Sequence, residues 1–411
     1  MKALYNFTIV IANFLLKIIG FFNPKIKKGV VGRAESFELL SYNLVPNKKR
    51  IWLHCASLGE YEQGLPLFKK LRQSYNQHQI FLTFVSPSGY EIRKNTEIAD
   101  LVLYLPLDTK SNAKKFVEML QPQLTVFVKY EIWPNYLLEL QKRHLPTLLI
   151  SATFRKEQLY FQSYGALMRN ALKTFDHIFV QDENSKILLH SLHFNNVTVA
   201  GDTRYDRVSD QLKLDNNLPF IEEFIDGELC VVVGSSWPED ELLFQNYINH
   251  NFNNNVKFII APHNIKSSQI HQFKNQLQEK TILFSEKEGK NLSDYKILII
   301  DTIGILSKIY SYASIAYVGG AMGNTGLHNI LEPAVFGIPV IIGKNYKKFP
   351  EATEMIANGG VFSIKDGQEL ETLLNELLEN SENRNHYSQL NGTYIKDHQG
   401  AVGRISKYLN I

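Results

Sequence analysis

Short apolar runs alternate with longer amphipathic segments along most of the chain, from about residue 50 onward. Short apolar runs are typical of buried strands, and the longer segments are typical of helices. Alternating strands and helices predict a parallel sheet with helices on both faces, an α/β architecture. The predicted strands are Ile51–His54, Ile80–Val85, Leu101–Leu105, Leu124–Val128, Thr147–Ile150, His177–Val180, Val197–Ala200, Leu229–Gly234, Lys257–Ala261, Thr281–Phe284, Lys296–Ile300, Ile315–Val318, Pro339–Ile342 and Val361–Ser363. The predicted helices of the first series are Gln63–Ser74, Thr109–Leu120, Pro134–Gln141 and Asp182–Leu192.

The alternation pauses in the polar stretch 202–217 and restarts at Leu229, which divides the strands into two series. A chain of 411 residues is also too long for one ordinary core. We therefore predict two Rossmann-like domains facing each other across a cleft, with a linker near 201–217. The expected divisions are an N-terminal helix at 1–23, domains at 24–205 and 206–390, and a C-terminal helix at 391–411 that crosses back to the first domain.

The N-terminus carries an apolar run from Leu4 to Phe22, in which Lys17 is the one charged residue. A basic segment, 25–33, follows, and no small-residue cleavage site is evident. The length suits a helix that spans a membrane, and the composition equally suits one that lies in the lipid interface. A buried first helix is the alternative. If the helix is in the membrane, its basic flank predicts that the rest of the chain is cytoplasmic.

Composition excludes several classes of protein. The net charge of +3 and the pI of about 8.5 are far from those of a dedicated nucleic-acid binder. Cys55 and Cys230 each belong to an apolar run, so we expect two buried free thiols in a reducing compartment. No cluster of cysteines and histidines has metal-ligand spacing, so we expect no metal site.

Candidate chemistry in the first half begins with Ser57-Leu58-Gly59-Glu60, which follows a predicted strand. Glu60 is positioned to act as a general base that takes a proton from a hydroxyl. An acidic residue in the first turn of a helix also has a purely structural explanation, because it favours the helix macrodipole. Glu62 competes for either role.

Two further strand-end segments belong to the same half. Lys129-Tyr130-Glu131-Ile132-Trp133 is charged and aromatic, and predicts the wall of a cleft. Glu131 either orients a ligand or a neighbouring group, or is a helix-start acid. Ser86 and Ser88 either hold a phosphate or sugar, or form a turn with a helix N-cap.

In the second half, the glycine-rich segment from Gly319 to Gly326 leads to His328, Asn329 and Glu332, which we expect on one helix face. Glycines allow a phosphate to approach backbone N–H groups, and a carboxylate can accept both ribose hydroxyls. The spacing matches neither the dinucleotide fingerprint G-x-G-x-x-G nor the Walker A motif. Three more strand-end turns support a ligand site there: Ser235-Ser236, Pro262-His263, and Asp301-Thr302-Ile303-Gly304.

Together these residues resemble the Kdo (3-deoxy-D-manno-octulosonic acid) transferases of lipopolysaccharide synthesis, which have the GT-B fold. The resemblance covers nearly the whole chain. The segments that carry it are the apolar N-terminus and its basic flank, Ser57–Glu60, Glu131–Asn135, Gly201–Asp206, Asp301–Gly304, and Gly326–Asn329 with Glu332-Pro333-Ala334.

The resemblance implies an inverting glycosyltransferase that needs no metal or other cofactor. The donor would be CMP-Kdo, bound by the second domain, and the acceptor would be lipid IVA at the cytoplasmic face of the bacterial inner membrane. Glu60 would deprotonate the 6′-hydroxyl of the acceptor glucosamine, and Glu131 would be a second catalytic residue. Acceptor-side residues would be Ser57, Gly59, Ser86, Ser88 and Lys129. Nucleotide-binding residues would be Ser235, Ser236, Pro262, His263, Asp301, Thr302, Gly304, Gly320, Asn324, Thr325, Gly326, His328, Asn329 and Glu332. Backbone N–H groups of the glycine-rich loop and of Ser235-Ser236 would stabilise the leaving phosphate.

The chain departs from the family pattern at three places. Pro262-His263-Asn264 stands where Pro-Arg-His is usual, so the cation there must come from elsewhere, with His263 and Lys344 as candidates. Lys129 replaces an acidic residue, and Leu327 replaces a glycine. Two alternatives stay open: a GT-B transferase that uses a UDP-sugar and a lipid acceptor, and an inactive relative that only binds lipid or nucleotide.

Overall fold

The computed structural model describes residues 2–251 and 255–411. Its α-helices are α1 Lys2–Phe22, α2 Pro24–Asn43, α3 Leu58–Ser74, α4 Pro87–Arg93, α5 Lys110–Leu120, α6 Pro134–Lys142, α7 Ala166–Leu172, α8 Glu183–His190, α9 Thr203–Gln211, α10 Pro219–Ile225, α11 Pro238–Asn251, α12 Ser267–Gln276, α13 Leu306–Ile309, α14 Leu331–Ala334, α15 Pro350–Asn358, α16 Gly367–Glu379, α17 Ser381–His398 and α18 Ala401–Leu409. Its strands are β1 Arg50–Cys55, β2 Gln79–Phe84, β3 Leu101–Tyr104, β4 Leu124–Val128, β5 Thr147–Ala152, β6 His177–Val180, β7 Val197–Val199, β8 Leu229–Ser236, β9 Val256–Pro262, β10 Thr281–Leu283, β11 Ile297–Ile299, β12 Ile315–Val318, β13 Val340–Gly343 and β14 Val361–Ile364.

The strands form two sheets, one in each of two compact units. Unit 1 comprises residues 1–207 and 399–411, and unit 2 comprises residues 208–398. The unit 1 sheet has seven strands in the order β3-β2-β1-β4-β5-β6-β7, and the unit 2 sheet has seven in the order β10-β11-β9-β8-β12-β13-β14. All the strand pairs are parallel. The predicted α/β class, with two parallel sheets, is confirmed.

Each sheet has one point where the strand order reverses. In unit 1 it lies between β1 and β4, and in unit 2 it lies between β8 and β12. Ligands of open parallel sheets bind beyond the carboxyl ends of the strands at such a point, where connections leave in opposite directions. The segment with Glu60 follows β1 and the segment with Glu131 follows β4. Gly319 and Gly320 follow β12, beside the end of β8.

Helix α1 is long and apolar enough to cross a membrane, judged by length and composition alone. Its apolar side chains are not core residues, since Phe7 is 62% exposed and Phe14 is 65% exposed. The interpretation of α1 as a buried first helix is therefore wrong. Its polar face is fixed to unit 1, because the Tyr5 hydroxyl donates to Asp108 at 2.7 Å and Asn135 donates to the Asn6 side-chain oxygen at 2.9 Å.

Two element boundaries differ from those expected. Helix α3 begins at Leu58 rather than at Gln63, because a capping box starts the helix directly after β1. The polar stretch expected to be a linker contains α9, and the division between the units falls within that helix. Tyr205 and Val208 of α9 are buried, at 5% and 4% exposure, which explains why this polar segment folds into a helix.

The C-terminal segment forms two helices rather than one. Helix α17 belongs to unit 2, and the return to unit 1 begins at residue 399 rather than at 391. Gly400 has a φ of +100°, a conformation that interrupts a helix and that glycine adopts without strain. The Asp206 carboxylate then accepts hydrogen bonds from the N–H groups of Gly400 and Ala401, both at 3.0 Å, at the start of α18.

Candidate functional site

Glu60 lies at the carboxyl end of β1, in the first turn of α3. Its Oε2 accepts a hydrogen bond from the Ser57 N–H at 3.0 Å and one from the Ser57 hydroxyl, so Ser57 and Glu60 form a capping box. The structural role of Glu60 is thus real. Within the described residues its Oε1 makes no hydrogen bond, and the side chain is half-buried. The cap therefore fixes the carboxylate while one oxygen stays available to a ligand.

Glu131 lies at the end of β4, on the other side of the same reversal point. Its Oε2 is 3.1 Å from His54 Nε2 and accepts from the Trp133 indole N–H at 2.8 Å. His54 is fully buried, and only 11% of the Glu131 side chain is exposed. Sequence reasoning missed His54, because a histidine inside an apolar strand reads as a core residue.

Three carboxylates influence the buried thiol of Cys55, the last residue of β1. Burial raises the pKa of Cys55 well above its ordinary value, and the charges of Glu60, Glu131 and Glu62 raise it further. Glu62 is ion-paired with Arg93 at 2.6 Å and with Arg207 at 3.1 Å. Because both its oxygens are engaged, Glu62 is a weaker candidate for a base than Glu60.

The other residues predicted for the acceptor side lie in neighbouring turns of unit 1. Ser86 is the N-cap of α4, where its hydroxyl accepts from the Ser88 N–H at 3.2 Å and is 2.9 Å from the Ser88 hydroxyl. Lys129 has a φ of 65°, in the left-handed region that is uncommon for a residue with a side chain. Gly59 is exposed. The backbone of Lys129 is strained two residues before Glu131, and such strain clusters at functional sites.

In unit 2, the buried carboxylate of Asp240 organises the reversal point. It accepts from the N–H groups of Trp237 and Gly320, each at 2.9 Å, and from the Tyr317 hydroxyl at 2.6 Å. Burial raises the pKa of Asp240, although these three donors oppose the shift. Sequence reasoning missed Asp240, because an acid in the first turn of α11 has an ordinary helix-dipole explanation.

Gly319 and Gly320 are required by the close approach of two backbone segments. A Cβ at Gly319 would lie 2.4 Å from the Ser235 carbonyl oxygen, and one at Gly320 would lie 2.1 Å from the Gly326 carbonyl oxygen. Gly320 also has a φ of +96°, which favours glycine. Ser235, at a bulge in β8, has a φ of 53°. The loop after β12 is therefore folded tightly against the end of β8.

Within this loop, five consecutive N–H groups donate no hydrogen bond to the described residues. The N–H groups of Gly319, Gly320, Gly326 and His328 are all used inside the protein. Those of residues 321–325 donate to none of the described residues. The N–H groups of Gly320 and Gly326, which were predicted to bind the nucleotide, donate to Asp240 and to the Gly320 carbonyl oxygen. The segment 321–325, which contains Asn324 and Thr325, takes their place as a phosphate-binding candidate.

Three aromatic rings stack beside this loop. Trp237 and His263 are parallel to within 19° with centroids 4.7 Å apart, and the centroids of His263 and His328 are 4.4 Å apart. Trp237 Nε1 donates to His328 Nε2 at 3.1 Å, so His328 is neutral and carries its proton on Nδ1. Desolvation, followed by the charge of His263, lowers the pKa of His328 to about 4, and desolvation also lowers the pKa of His263. The lowered pKa disfavours the cationic form of His263, which was one of the two candidates for the missing cation.

His328, Asn329 and Glu332 do not share a helix face, because α14 begins only at Leu331. The Asn329 side-chain oxygen accepts from the Leu331 N–H at 3.2 Å, at the start of α14. Glu332 still lies near Asn329, whose amide donates to it at 3.2 Å, and it also accepts from the Ser307 hydroxyl at 3.1 Å. The expected cluster is present, but a loop rather than a helix builds it.

The remaining residues predicted to bind the nucleotide lie in two different parts of unit 2, one at a cavity and one at the turn after β11. A cavity of about 550 Å³ in unit 2 is lined by Ser236, Trp237, Pro262 and Asn264, together with residues of α11 and α12. The loop residues Gly320, Gly326 and His328 do not line it. Asp301 is engaged elsewhere, since it accepts from the Ser285 N–H at 2.9 Å and from the Ser285 hydroxyl. Thr302 and Gly304 follow it in an open turn. The described residues contain no group of three or more His, Cys, Asp or Glu side chains that could hold a metal ion.

Comparison with known protein families finds a similarity that covers most of unit 1. Residues 32–207 match a family described as 3-deoxy-D-manno-octulosonic-acid transferase (kdotransferase). A 3-deoxy-D-manno-octulosonic acid transferase from Aquifex aeolicus is 29% identical over 336 residues, covering 80% of this chain and 86% of the relative. One of the same name from Haemophilus influenzae is 26% identical over 403 residues, covering 95% of this chain and 93% of the relative.

Solved structures agree on the fold. A UDP-GlcNAc 2-epimerase from Neisseria meningitidis superimposes with a TM-score of 0.62 at 15% identity, covering 88% of this chain and 99% of that chain. Acinetobacter baumannii MurG superimposes with a TM-score of 0.55 at 12% identity, covering 88% of this chain and 99% of that chain. At these identities the likeness concerns the fold alone, which is the GT-B fold that the sequence predicts.

Proposed function

We propose, from the premise that this chain belongs to the Kdo transferase family, that it transfers Kdo from CMP-Kdo to the 6′-hydroxyl of lipid IVA. Family membership makes the chain a glycosyltransferase. The observation that carries the finer proposal is the pair of carboxylates, Glu60 and Glu131, at the reversal point of the unit 1 sheet. Unit 2 offers N–H groups and aromatic rings at the corresponding point, which suits an anionic nucleotide-sugar.

The proposed reaction is a single displacement that inverts the anomeric carbon. Glu60 Oε1 removes the proton of the acceptor hydroxyl, whose oxygen bonds to the anomeric carbon of Kdo. The bond from that carbon to the CMP phosphate oxygen breaks, and CMP leaves with the electron pair. The capping box holds Glu60 Oε2, so proton transfer uses an oxygen that is already oriented.

The donor is proposed to bind unit 2 through its phosphate and its nucleoside. N–H groups of residues 321–325 would bind the phosphate and stabilise charge as CMP departs. Glu332 and Asn329 would accept and donate hydrogen bonds at the ribose. Trp237 and His263 present flat surfaces for stacking or for contact with the sugar carboxylate.

The membrane surface is proposed to bind the apolar face of α1, with the helix lying along unit 1 rather than spanning the bilayer. Tyr5 and Asn6 fix one end of α1 to unit 1, and Gly20 packs near Lys27 and Val30 of α2 at the other end. A spanning helix would have to leave the protein at one of these ends. Anionic headgroups would meet the basic segment that starts α2, and this supports the proposal that the protein acts at the cytoplasmic face of the inner membrane.

A mass spectrum of lipid IVA after incubation with the protein and freshly generated CMP-Kdo tests the proposal. We expect a product heavier by one or more Kdo units, with CMP inhibiting more strongly than UMP. An unchanged lipid, with folded protein and intact donor, would contradict the proposal. Preference for uridine nucleotides would favour the transferase that uses a UDP-sugar, and nucleotide binding without turnover would favour an inactive relative.

A further inference from the structure

A buried chain of hydrogen bonds leads from the interior of unit 1 to Glu131. Trp52 and His54 point to the same side of β1, and His54 is paired in register with Thr83 of β2. Trp52 Nε1 donates to the Thr83 hydroxyl at 2.8 Å, and that hydroxyl is 2.7 Å from His54 Nδ1. His54 Nε2 is 3.1 Å from Glu131 Oε2. Trp52, His54 and Thr83 are all fully buried.

The positions of these donors and acceptors decide which ring nitrogen of His54 carries the proton. A carboxylate without a proton only accepts, so the Nε2–H form donates to Glu131 while Nδ1 accepts from the Thr83 hydroxyl. Every donor in this series of hydrogen bonds then faces an acceptor, because the Thr83 hydroxyl oxygen accepts from the indole N–H of Trp52 and its proton is donated to His54 Nδ1.

The opposite tautomer leaves a conflict. With the proton on Nδ1, both Trp52 and His54 would donate to Thr83, whose own hydroxyl could then reach only the Leu53 carbonyl, at 3.4 Å. The lone pair of Nε2 would also face the Glu131 carboxylate at 3.1 Å. The Trp133 indole N–H, which is 3.1 Å from Nε2 and 2.8 Å from Glu131 Oε2, would have to serve both.

We propose that His54 is a positioning residue: Thr83 holds it as the Nε2–H tautomer, and it fixes Glu131 so that Oε1 alone is left to bind an acceptor hydroxyl. Oε2 is then occupied by two N–H donors, from His54 and Trp133. This inference rests on the proposed function for the identity of the ligand. The assignment of the His54 tautomer is independent of the proposed function, because the tautomer is a property of the free protein. A simple core histidine would tolerate either tautomer without any effect on turnover.

The tautomer is measured first, by NMR of the full-length protein with 15N-labelled histidine. The sequence holds 12 histidines, so the His54→Asn variant serves to identify the His54 resonances. If that variant does not fold, resonances that shift in Thr83→Val identify them instead. We expect a proton on Nε2 in the wild-type protein, and its loss or exchange between both nitrogens in Thr83→Val. A wild-type ring protonated on Nδ1 would overturn the proposal.

Turnover is then compared in three variants with similar side-chain volumes. Thr83→Val removes the hydroxyl and should lower kcat by about ten- to a hundredfold, because misplacing a catalytic group by about 1 Å can cost up to roughly a hundredfold in rate. Thr83→Ser keeps the hydroxyl and should recover most of the wild-type turnover. Thr125→Val is the matched control, since Thr125 is buried on the adjacent strand β4 and its hydroxyl has no hydrogen-bond partner.

The outcomes separate this proposal from the proposed function. Equal turnover in Thr83→Val and Thr125→Val, with both folded, would contradict a positioning role. CMP affinity should stay unchanged in both, because CMP is assigned to unit 2. If the wild-type protein transfers no Kdo, the proposed function fails, and the NMR measurement still decides whether Thr83 and Glu131 hold His54 as the Nε2–H tautomer.

Discussion

Units 1 and 2 share one architecture but have different functional groups at the point where the strand order reverses. Both have a seven-stranded parallel sheet, and both carry their candidate site where the strand order reverses. In unit 1 that point holds the side-chain carboxylates Glu60 and Glu131, each fixed through one oxygen. In unit 2 the carboxylate of Asp240 is buried and accepts hydrogen bonds from within the protein, and the backbone N–H groups of residues 321–325 have no partner among the described residues.

This difference shows how one scaffold divides a transfer reaction. A hydroxyl acceptor needs a proton acceptor, which a carboxylate supplies. An anionic nucleotide-sugar needs N–H or O–H groups to bind it and is repelled by a carboxylate that has no hydrogen-bond partner. In unit 2 the Asp240 carboxylate is already hydrogen-bonded to Trp237, Tyr317 and Gly320. If the comparison is right, variants in the two units should fail in different ways.

The largest effect is expected from Glu60→Gln in unit 1. The amide cannot take the hydroxyl proton, so turnover should fall by about a hundredfold or more, although the cap can persist. Glu62→Gln is the matched control, because Glu62 lies two residues further along α3 and is ion-paired with Arg93 and Arg207. Steady-state assays of both variants check this. Equal losses in the two would remove Glu60 from its role as the base.

In unit 2, Glu332→Gln should weaken CMP binding about tenfold, since a hydrogen bond to a charged group is worth roughly 1.5–3 kcal/mol. Calorimetric titration with CMP gives the dissociation constant. Glu354→Gln is a suitable control, because Glu354 is also a unit 2 glutamate and its bond is to Tyr394, away from the loop. Unchanged CMP affinity in Glu332→Gln would show that the nucleotide does not contact this side chain.

A smaller effect concerns the acid stability of the aromatic stack. The pKa of His328 is lowered from 6.5 to about 4 in the folded protein, so the unfolded chain binds the proton more readily. Its stabilising contribution is complete above pH 6.5 and is lost as the pH falls towards 4. His328→Gln keeps an acceptor for the Trp237 N–H and has no titratable ring. Urea unfolding at about pH 7 and about pH 5 should show a smaller loss of unfolding free energy in this variant. An identical loss in both proteins would contradict the assignment.

The smallest effect is expected at α1. Tyr5→Phe removes one hydrogen bond to Asp108 and should lower the free energy of unfolding by about 1 kcal/mol. Kdo transfer to a lipid acceptor in vesicles should change little, because Phe keeps the apolar face. Tyr42→Phe is a control, since Tyr42 is 79% exposed. Loss of vesicle binding in Tyr5→Phe alone would mean that this contact, rather than the apolar face, governs membrane association.

The sequence predicted the architecture well because strands buried on both faces of a parallel sheet are continuous apolar runs. It also predicted the segments that carry Glu60 and Glu131, since both directly follow such runs. The partners of these residues were not predictable. His54 meets Thr83 and Glu131 only through strand pairing and strand order, which the periodicity of one strand does not reveal.

The errors share a physical cause. Helix α3 begins early because Ser57 and Glu60 cap each other, a local contact that the apolar pattern does not show. The loop after β12 was expected to lead into a helix at His328, but the helix begins only at Leu331. The start of this loop is held by a hydrogen bond from the Gly320 N–H to Asp240, which belongs to α11. Long-range hydrogen bonds to buried side chains thus set local structure where the hydrophobic pattern is weak.

In the proposed mechanism, unit 1 activates the acceptor and unit 2 binds the donor. The most direct measurement is a calorimetric titration of Glu60→Gln with CMP, combined with a mass spectrum of lipid IVA after incubation of the same protein with CMP-Kdo. We expect CMP affinity equal to that of the wild-type protein and almost no Kdo-modified lipid. A variant that transfers Kdo at the wild-type rate, or one that loses CMP affinity along with transfer, would contradict it.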